Sequence, residues 1–312
     1  MKVLIIKPSS LGDVVHSLRV ASLLAREIPN IEIHWVIKSG LEGILNASGI
    51  VKRNYIFHRG GGFLKFLKLC HAIREEKYDY VLDLQGLLRS AVLTKITRSK
   101  KKYGRADGRE FSTLFYNCIG MKSKKKLMHA IDRLVPFIEL FGIKSCKSLP
   151  LDFTESHIYK GDSFSLRQNS PYILIFPESR RPEKEWPNFE DLVSLFNRKF
   201  NLNVVIAGSV RSDNFKNCID VRGKVKLVEL PWLIKNSLIV ISNDSAPLHI
   251  ASSLCKPLVA LFGPTEHERY GPYPQDGHAK VIASPSRKIE DISIESVYRT
   301  IETTLTEIKV QS

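Results

Sequence analysis

Short apolar runs alternate with segments of helical periodicity along nearly the whole chain, and this alternation restricts the fold more than any other feature. In the first half it predicts strands near 2–6, 31–37, 53–57 and 79–84, and helices near 13–28, 63–77, 86–98 and 127–141. Runs such as Val3-Leu-Ile-Ile6, apolar at every position, belong to a parallel sheet covered by helices on both faces. Between about 99 and 126 the pattern fails, and an irregular segment of that length is expected to be a binding loop. The alternation restarts near Pro171, with strands at 172–176, 203–207, 238–241, 258–262 and, more weakly, 279–283. Helices follow from Asn188 to Phe200, from Ala246, and near 292–307. The polar stretch from Asp152 to Ser170 reads as a linker, and 312 residues is long for one core. Two α/β domains are therefore expected, 1–155 and 170–312, with the last helix free to pack back on the first.

The turns after the strands carry the chemistry. Lys7-Pro-Ser-Ser-Leu-Gly-Asp13 joins a strand to a helix, so its backbone N–H groups and small side chains leave room for an anionic group. Asp13 stands there either as a helix cap or as a functional carboxylate. In the second half, Pro177-Glu-Ser-Arg-Arg-Pro-Glu-Lys-Glu-Trp186 bears Ser179, Arg180, Arg181 and Lys184. Ala207-Gly-Ser-Val-Arg211 is a small-residue turn, and Asn243-Asp-Ser-Ala246 opens the helix that carries His249. In open α/β sheets, ligands bind at such strand-to-helix turns. The chain has no Walker A motif, no GxGxxG and no Asp-x-Asp, so helix N-termini and Lys or Arg are expected to meet a diphosphate without a metal or cofactor.

Charge narrows the partners. An excess of 47 Lys and Arg over 32 Asp and Glu gives +15, which calls for an anionic partner: nucleic acid, a phospholipid surface or a phosphorylated glycolipid. The excess concentrates in the first half, at His58-Arg59 to Lys68, Arg98 to Arg105 and Lys122 to Lys126, consistent with a binding face. No helix-turn-helix, zinc finger or aromatic–basic run marks a nucleic-acid reader, so that class is kept only as an alternative, separable by gel shift. No apolar run is long enough to span a bilayer and no signal peptide is visible, so a cytoplasmic protein is expected. Five scattered cysteines, an odd number without CxxC, argue against a disulfide framework.

Four segments stand out in order along the chain: Lys7 to Leu18; Asp83-Leu-Gln-Gly-Leu-Leu-Arg-Ser-Ala91; Thr113 to Asn117 with His129-Ala-Ile-Asp-Arg133; and Asn243-Asp-Ser-Ala-Pro-Leu-His249 with Phe262-Gly-Pro-Thr265. Together they resemble the lipopolysaccharide heptosyltransferases of glycosyltransferase family 9. The first and third look most like the family's enzyme that adds the first heptose. Arg19 departs from the pattern, where proline is expected, and Asn243-Asp-Ser-Ala stands where the most similar sequences have Asp-Thr-Gly.

The resemblance implies a GT-B type fold of two facing Rossmann-like domains. It implies an inverting, metal-independent transfer of L-glycero-D-manno-heptose from ADP-heptose to Kdo of the lipid A inner core. Asp13 is then the expected general base; a helix N-terminus stabilises its carboxylate form, so catalysis would rest on positioning. Ser179, Arg180, Lys184, Asp244, Ser245, Ala246 and His249 are expected at the donor. Ser10, Gly12, Arg59, Arg105, Arg109, Lys124, Lys125 and Lys126 are expected at the acceptor. The implied setting is a monomer, peripheral on the cytoplasmic face of an anionic inner membrane. A related acceptor, the second core heptose site or a protein hydroxyl, would share the donor site entirely.

Overall fold

The computed structural model describes residues 1–120, 128–144, 150–154, 157, 171–199, 202–210, 215–275 and 278–311. The chain divides into two units, Met1–Thr154 and Glu155–Ser312. The first contains β1 (Lys2–Ile6), α1 (Leu11–Glu27), β2 (Glu32–Lys38), α2 (Glu42–Ser48), β3 (Val51–Phe57), α3 (Gly62–Glu75), β4 (Tyr80–Asp83), α4 (Leu88–Ile96), β5 (Lys101–Arg105), β6 (Asn117–Ile119) and α5 (Val135–Glu139). Its strands form one parallel sheet in the order β3-β2-β1-β4-β5-β6. Val3 to Ile6 are fully buried because β1 lies between two strands and under helices on both faces, which is why the run has no polar residue. Ser10, in extended backbone, starts α1, and Val14, Val15, Leu18, Ala21 and Leu24 press that helix onto the sheet.

The second unit repeats the plan with β7 (Tyr172–Phe176), α6 (Phe189–Lys199), β8 (Asn203–Ile206), β9 (Ile219–Asp220), α7 (Leu230–Lys235), β10 (Ile239–Asn243), α8 (Ala246–Ser253), β11 (Leu258–Phe262), α9 (His267–Tyr270), β12 (Ala279–Ala283) and α10 (Ile294–Gln311). The sheet order is β12-β11-β10-β7-β8-β9, all parallel. One core joins α6, α10 and the sheet through Trp186, Phe189, Phe196, Val297 and Ile301. The Trp186 indole N–H donates to the Ile292 carbonyl at 2.8 Å, so the last helix is tied to its own unit. In both sheets the crossover direction reverses once, at β1/β4 and at β7/β10, and each reversal leaves a crevice beyond the strand ends.

Two expectations need correction. The stretch 99–126 is not uniformly irregular: β5 and β6 lie within it, and β5 pairs with β4 along its length. The helix expected over 127–141 is reduced to α5. Pro136, which lacks an N–H, sits in its first turn, and His129 Nδ1 accepts the Ile131 N–H at 3.1 Å to hold a non-helical turn ahead of it. Among the described residues, no helix is long and apolar enough to cross a membrane. Most of the stretch 152–170 lies outside the described residues.

Candidate functional site

In the first unit, charged side chains gather where β1, β4 and β5 end. Chain direction dictates this: Ile6 pairs with Asp83, and Asp83 with Gly104, so the residues closing the three strands lie side by side. Lys7 follows β1 and is buried, its carbonyl accepting the Trp35 indole N–H at 3.1 Å. Burial lowers the Lys7 pKa against the opposing pull of Asp13, while Arg105 lowers it further and Asp83 and Asp107 raise it. Asp13, in the first turn of α1, accepts on one oxygen from the Ser10 N–H at 3.1 Å and the Ser10 hydroxyl at 2.7 Å. The capping role is therefore present, and it fixes the orientation of the carboxylate.

Asp83 is fully buried at the end of β4. Its Oδ1 accepts the N–H groups of Gln85 and Gly86, each at 2.9 Å, and Gly86 adopts a left-handed φ of +70° that turns its N–H inward. Its Oδ2 is buried without a hydrogen bond among the described residues. Burial pushes the Asp83 pKa up to about 6, against the two backbone bonds, Ser90 and Lys7. Arg105 is clamped by Asp107 through bonds of 2.8 and 2.7 Å, and Arg133 joins the same carboxylate at 3.1 Å. Burial works against the Asp107 carboxylate, but the two guanidinium groups outweigh it and hold its pKa low.

The structure thus brings Ser10, Asp13 and Arg105 into one electrostatic group. Gly12 is half-buried in the same turn. Arg109 sits nearby, its N–H on the Gly86 carbonyl at 2.8 Å and its side chain exposed. Arg59 is exposed beyond the end of β3, and Lys124, Lys125 and Lys126 lie outside the described residues. Sequence reasoning placed Lys7, Asp83 and Arg133 in the segments that carry the resemblance without giving them a role, and passed over Asp107. The available signal was a charged residue directly after the apolar run of β1, which marks Lys7, and a lone carboxylate between Leu82 and Leu84, which marks Asp83.

In the second unit, two loops meet across the β7/β10 reversal. Lys184, after β7, places its ammonium 2.5 Å from Asp244 Oδ2, after β10. The Thr265 hydroxyl donates to the same oxygen at 2.7 Å, and the Ser179 hydroxyl to the Asp244 carbonyl at 3.4 Å. Asn243 ties the loops together, donating to the Pro177 carbonyl at 2.7 Å and accepting the Trp186 N–H at 3.2 Å. Ser245 starts α8, Ala246 is its first residue, and His249 is buried on it. Arg180 is exposed on the β7 loop. A lysine, two hydroxyls and a helix N-terminus at one crevice suit a diphosphate.

Beside this crevice lies a cluster that sequence reasoning did not single out. Glu178 accepts the Ser209 N–H at 2.6 Å, and Arg222 lies 3.7 Å from Glu178 while binding Asp220 at 2.7 Å. A Cβ on Gly208 would meet the Glu178 carboxylate at 2.7 Å, so only glycine lets the chain pass there. Among the described residues, no group of three or more His, Cys, Asp or Glu is arranged to hold a metal ion.

The profile of glycosyltransferase family 9 (heptosyltransferase) matches residues 66–299. Lipopolysaccharide heptosyltransferase 1 of Campylobacter coli is 27% identical over 86% of this chain and 86% of its own length. The enzyme of the same name from Salmonella typhimurium is 26% identical over 96% and 99%. The solved Escherichia coli heptosyltransferase WaaC with ADP-2-deoxy-2-fluoro heptose superimposes with a TM-score of 0.80, at 22% identity over 97% of this chain and 99% of that one. The fold is thus the α/β, GT-B type of that enzyme, built from two Rossmann-like units.

Proposed function

The chain belongs to glycosyltransferase family 9, the heptosyltransferases, and we propose that it moves L-glycero-D-manno-heptose from ADP-heptose to Kdo of the lipid A inner core. The observation that carries this reading is the meeting of Lys184, Ser179 and Thr265 around Asp244 at the start of α8. These groups bind the donor diphosphate, with Arg180, Ser245, Ala246 and His249 around them. The ammonium is already held in place by Asp244, so little ordering is lost when the phosphates arrive. Cationic and N–H groups there stabilise the ADP that departs, which is the costly part of the step.

In the first unit the acceptor hydroxyl gives its proton to the Asp13 carboxylate as its oxygen bonds to the anomeric carbon. The bond from that carbon to the ADP oxygen breaks on the opposite face, so the configuration inverts. Ser10 keeps the carboxylate aimed, and Gly12, Arg59, Arg105, Arg109 and Lys124 to Lys126 hold the acceptor's carboxylates and phosphates. The enzyme acts as a monomer at the cytoplasmic face of an anionic inner membrane, with no metal and no cofactor. The likeness to heptosyltransferases 1 supports Kdo as acceptor, while heptosyltransferases 2 and 3 are similar as well. Purified protein given ADP-heptose should therefore add one heptose to Kdo-terminated lipid A, read by mass spectrometry. Transfer only to a heptose-terminated core, or only to protein hydroxyls, would overturn the Kdo assignment.

A further inference from the structure

The first unit leaves several large apolar side chains in solvent, and they are not scattered. Phe63 and Leu64 on α3 are 72% and 74% exposed, with Leu67 one turn on; Phe111 and Leu114, between β5 and β6, are 81% and 77% exposed. Leu88, the first residue of α4, is exposed as well. All of them follow the C-terminal ends of β3, β4 or β5, the same sheet edge at which Asp13 follows β1.

Two contacts join these segments into one rim. The Arg89 guanidinium lies 5.8 Å from the Phe57 ring, placing the start of α4 against the end of β3. Glu110 accepts the Leu88 N–H at 3.2 Å, placing the β5–β6 connection against α4. Glu110 and Phe111 both adopt left-handed backbone, φ +56° and +59°, a conformation that a bulky residue takes only at a cost, and in solution Phe111 gains no packing for it.

Helix α3 has two apolar faces. Leu69 and Ile73, with Phe66 and Cys70 beside them, pack on the sheet. Phe63, Leu64 and Leu67 form a second stripe turned away from it, which a water-facing helix does not need. Exposed basic residues accompany the rim: Arg59, Lys65 and Lys68 on and before α3, Arg89 at the start of α4 and Arg109 in the β5–β6 connection, and the sequence from His58 to Arg74 contains no acidic residue.

We propose that this rim is a membrane-docking surface, seating the first unit in the headgroup layer of an anionic bilayer with the α3 stripe, Phe111 and Leu114 below the phosphates. The inference rests on the lipid-linked acceptor of the proposed function and supplies the residues that bring the Asp13 edge to it. An apolar stripe bordered by Lys and Arg is the pattern of an interfacial helix. A second copy of the chain fits worse, because pairing the stripes would bring two identical basic borders together.

The test uses the full-length chain and phosphatidylcholine vesicles with and without phosphatidylglycerol. Wild type should sediment with the anionic vesicles. Phe63→Ser with Leu64→Ser, and separately Phe111→Ser with Leu114→Ser, should each weaken that binding by about 10- to 100-fold at both low and high salt. Lys65→Glu with Lys68→Glu should weaken it at low salt only. Both apolar pairs should transfer heptose to a deacylated, water-soluble Kdo acceptor at the wild-type rate and lose rate only on vesicle-embedded acceptor. Unchanged vesicle binding in both apolar pairs would overturn the proposal. So would a self-association that these substitutions abolish in a protein that ignores vesicles. Vesicle binding that responds as stated, with no transfer to any Kdo acceptor, would uphold the docking surface and sink the Kdo assignment instead.

Discussion

Replacing Asp83 by asparagine should make the first unit more stable near neutral pH and the enzyme slower. Asp83 is fully buried, and burial raises its pKa from 3.8 to about 6. The folded state therefore holds this proton more tightly than the unfolded state, and ionisation costs stability. Below about pH 4 the carboxyl is protonated in both states and the cost is absent; it grows as pH rises towards about 6 and stays constant above, at about 3 kcal/mol for a shift of this size. Asparagine keeps an oxygen for the Gln85 and Gly86 N–H groups and has no proton to lose. Its amide nitrogen occupies the place of Oδ2, which has no hydrogen bond among the described residues, and that mismatch costs about 1–3 kcal/mol at every pH. The offset cancels when the mutant is compared with wild type across pH. The stability difference, Asp83→Asn minus wild type, should rise by about 3 kcal/mol from about pH 4 to about pH 8. Native-state hydrogen exchange at the β1 and β4 amides reads this unit by itself. Turnover should fall, because the Asp83 charge helps to keep the buried Lys7 ammonium protonated beside Asp13. A flat stability difference, or wild-type turnover in the mutant, would refute the idea that this carboxylate is kept at a cost in stability for its effect on Lys7.

Asp13→Ala should lower kcat by at least ~10²-fold, as loss of a general base does, while thermal melts show no more than the ~1 kcal/mol of a lost cap; near wild-type turnover would remove Asp13 from the chemistry and leave it as a helix cap. Lys184→Ala should weaken ADP binding by roughly 1.5–3 kcal/mol in calorimetry, the scale of a hydrogen bond to a charged group, and an unchanged Kd would remove this lysine from the donor site. Transfer should persist in excess EDTA, since diphosphate charge is met by Lys184 and the start of α8. Complete loss in chelator, restored by Mg²⁺ or Mn²⁺, would contradict that assignment.

What could be read from the sequence follows from how each element is stabilised. Val3 to Ile6 of β1, with β7 and β11, are buried on both faces, so their runs are apolar throughout and unmistakable. β5 reads Lys-Lys-Tyr-Gly-Arg and has no such run. Its strand geometry comes from tertiary partners: Lys101 reaches the Tyr80 hydroxyl at 2.9 Å, Lys102 the Lys95 carbonyl at 2.6 Å, and Gly104 admits the Tyr116 ring where a Cβ would lie 2.4 Å from it. The same division holds at the sites. Asp13 was legible because a local turn announces it, and Lys184 and Asp244 were legible one at a time. Their pairing was not, because 60 residues separate them and only the neighbouring of β7 and β10 brings them together. The Arg133–Asp107 pair stayed hidden in the same way, with 26 residues between its members, whereas the partners of Asp83 and the Arg105 partner of Asp107 lie only two or three residues away. A charged residue that ends an apolar strand has to be solvated, paired or used. Lys7, just after β1, and Asp83, at the end of the neighbouring β4, are both buried, so solvation is ruled out for each. Pairing accounts for them only in part: burial pushes the Asp83 pKa up to about 6 and lowers that of Lys7, so the fold keeps both at a cost in stability that the comparison of Asp83→Asn with wild type across pH reads.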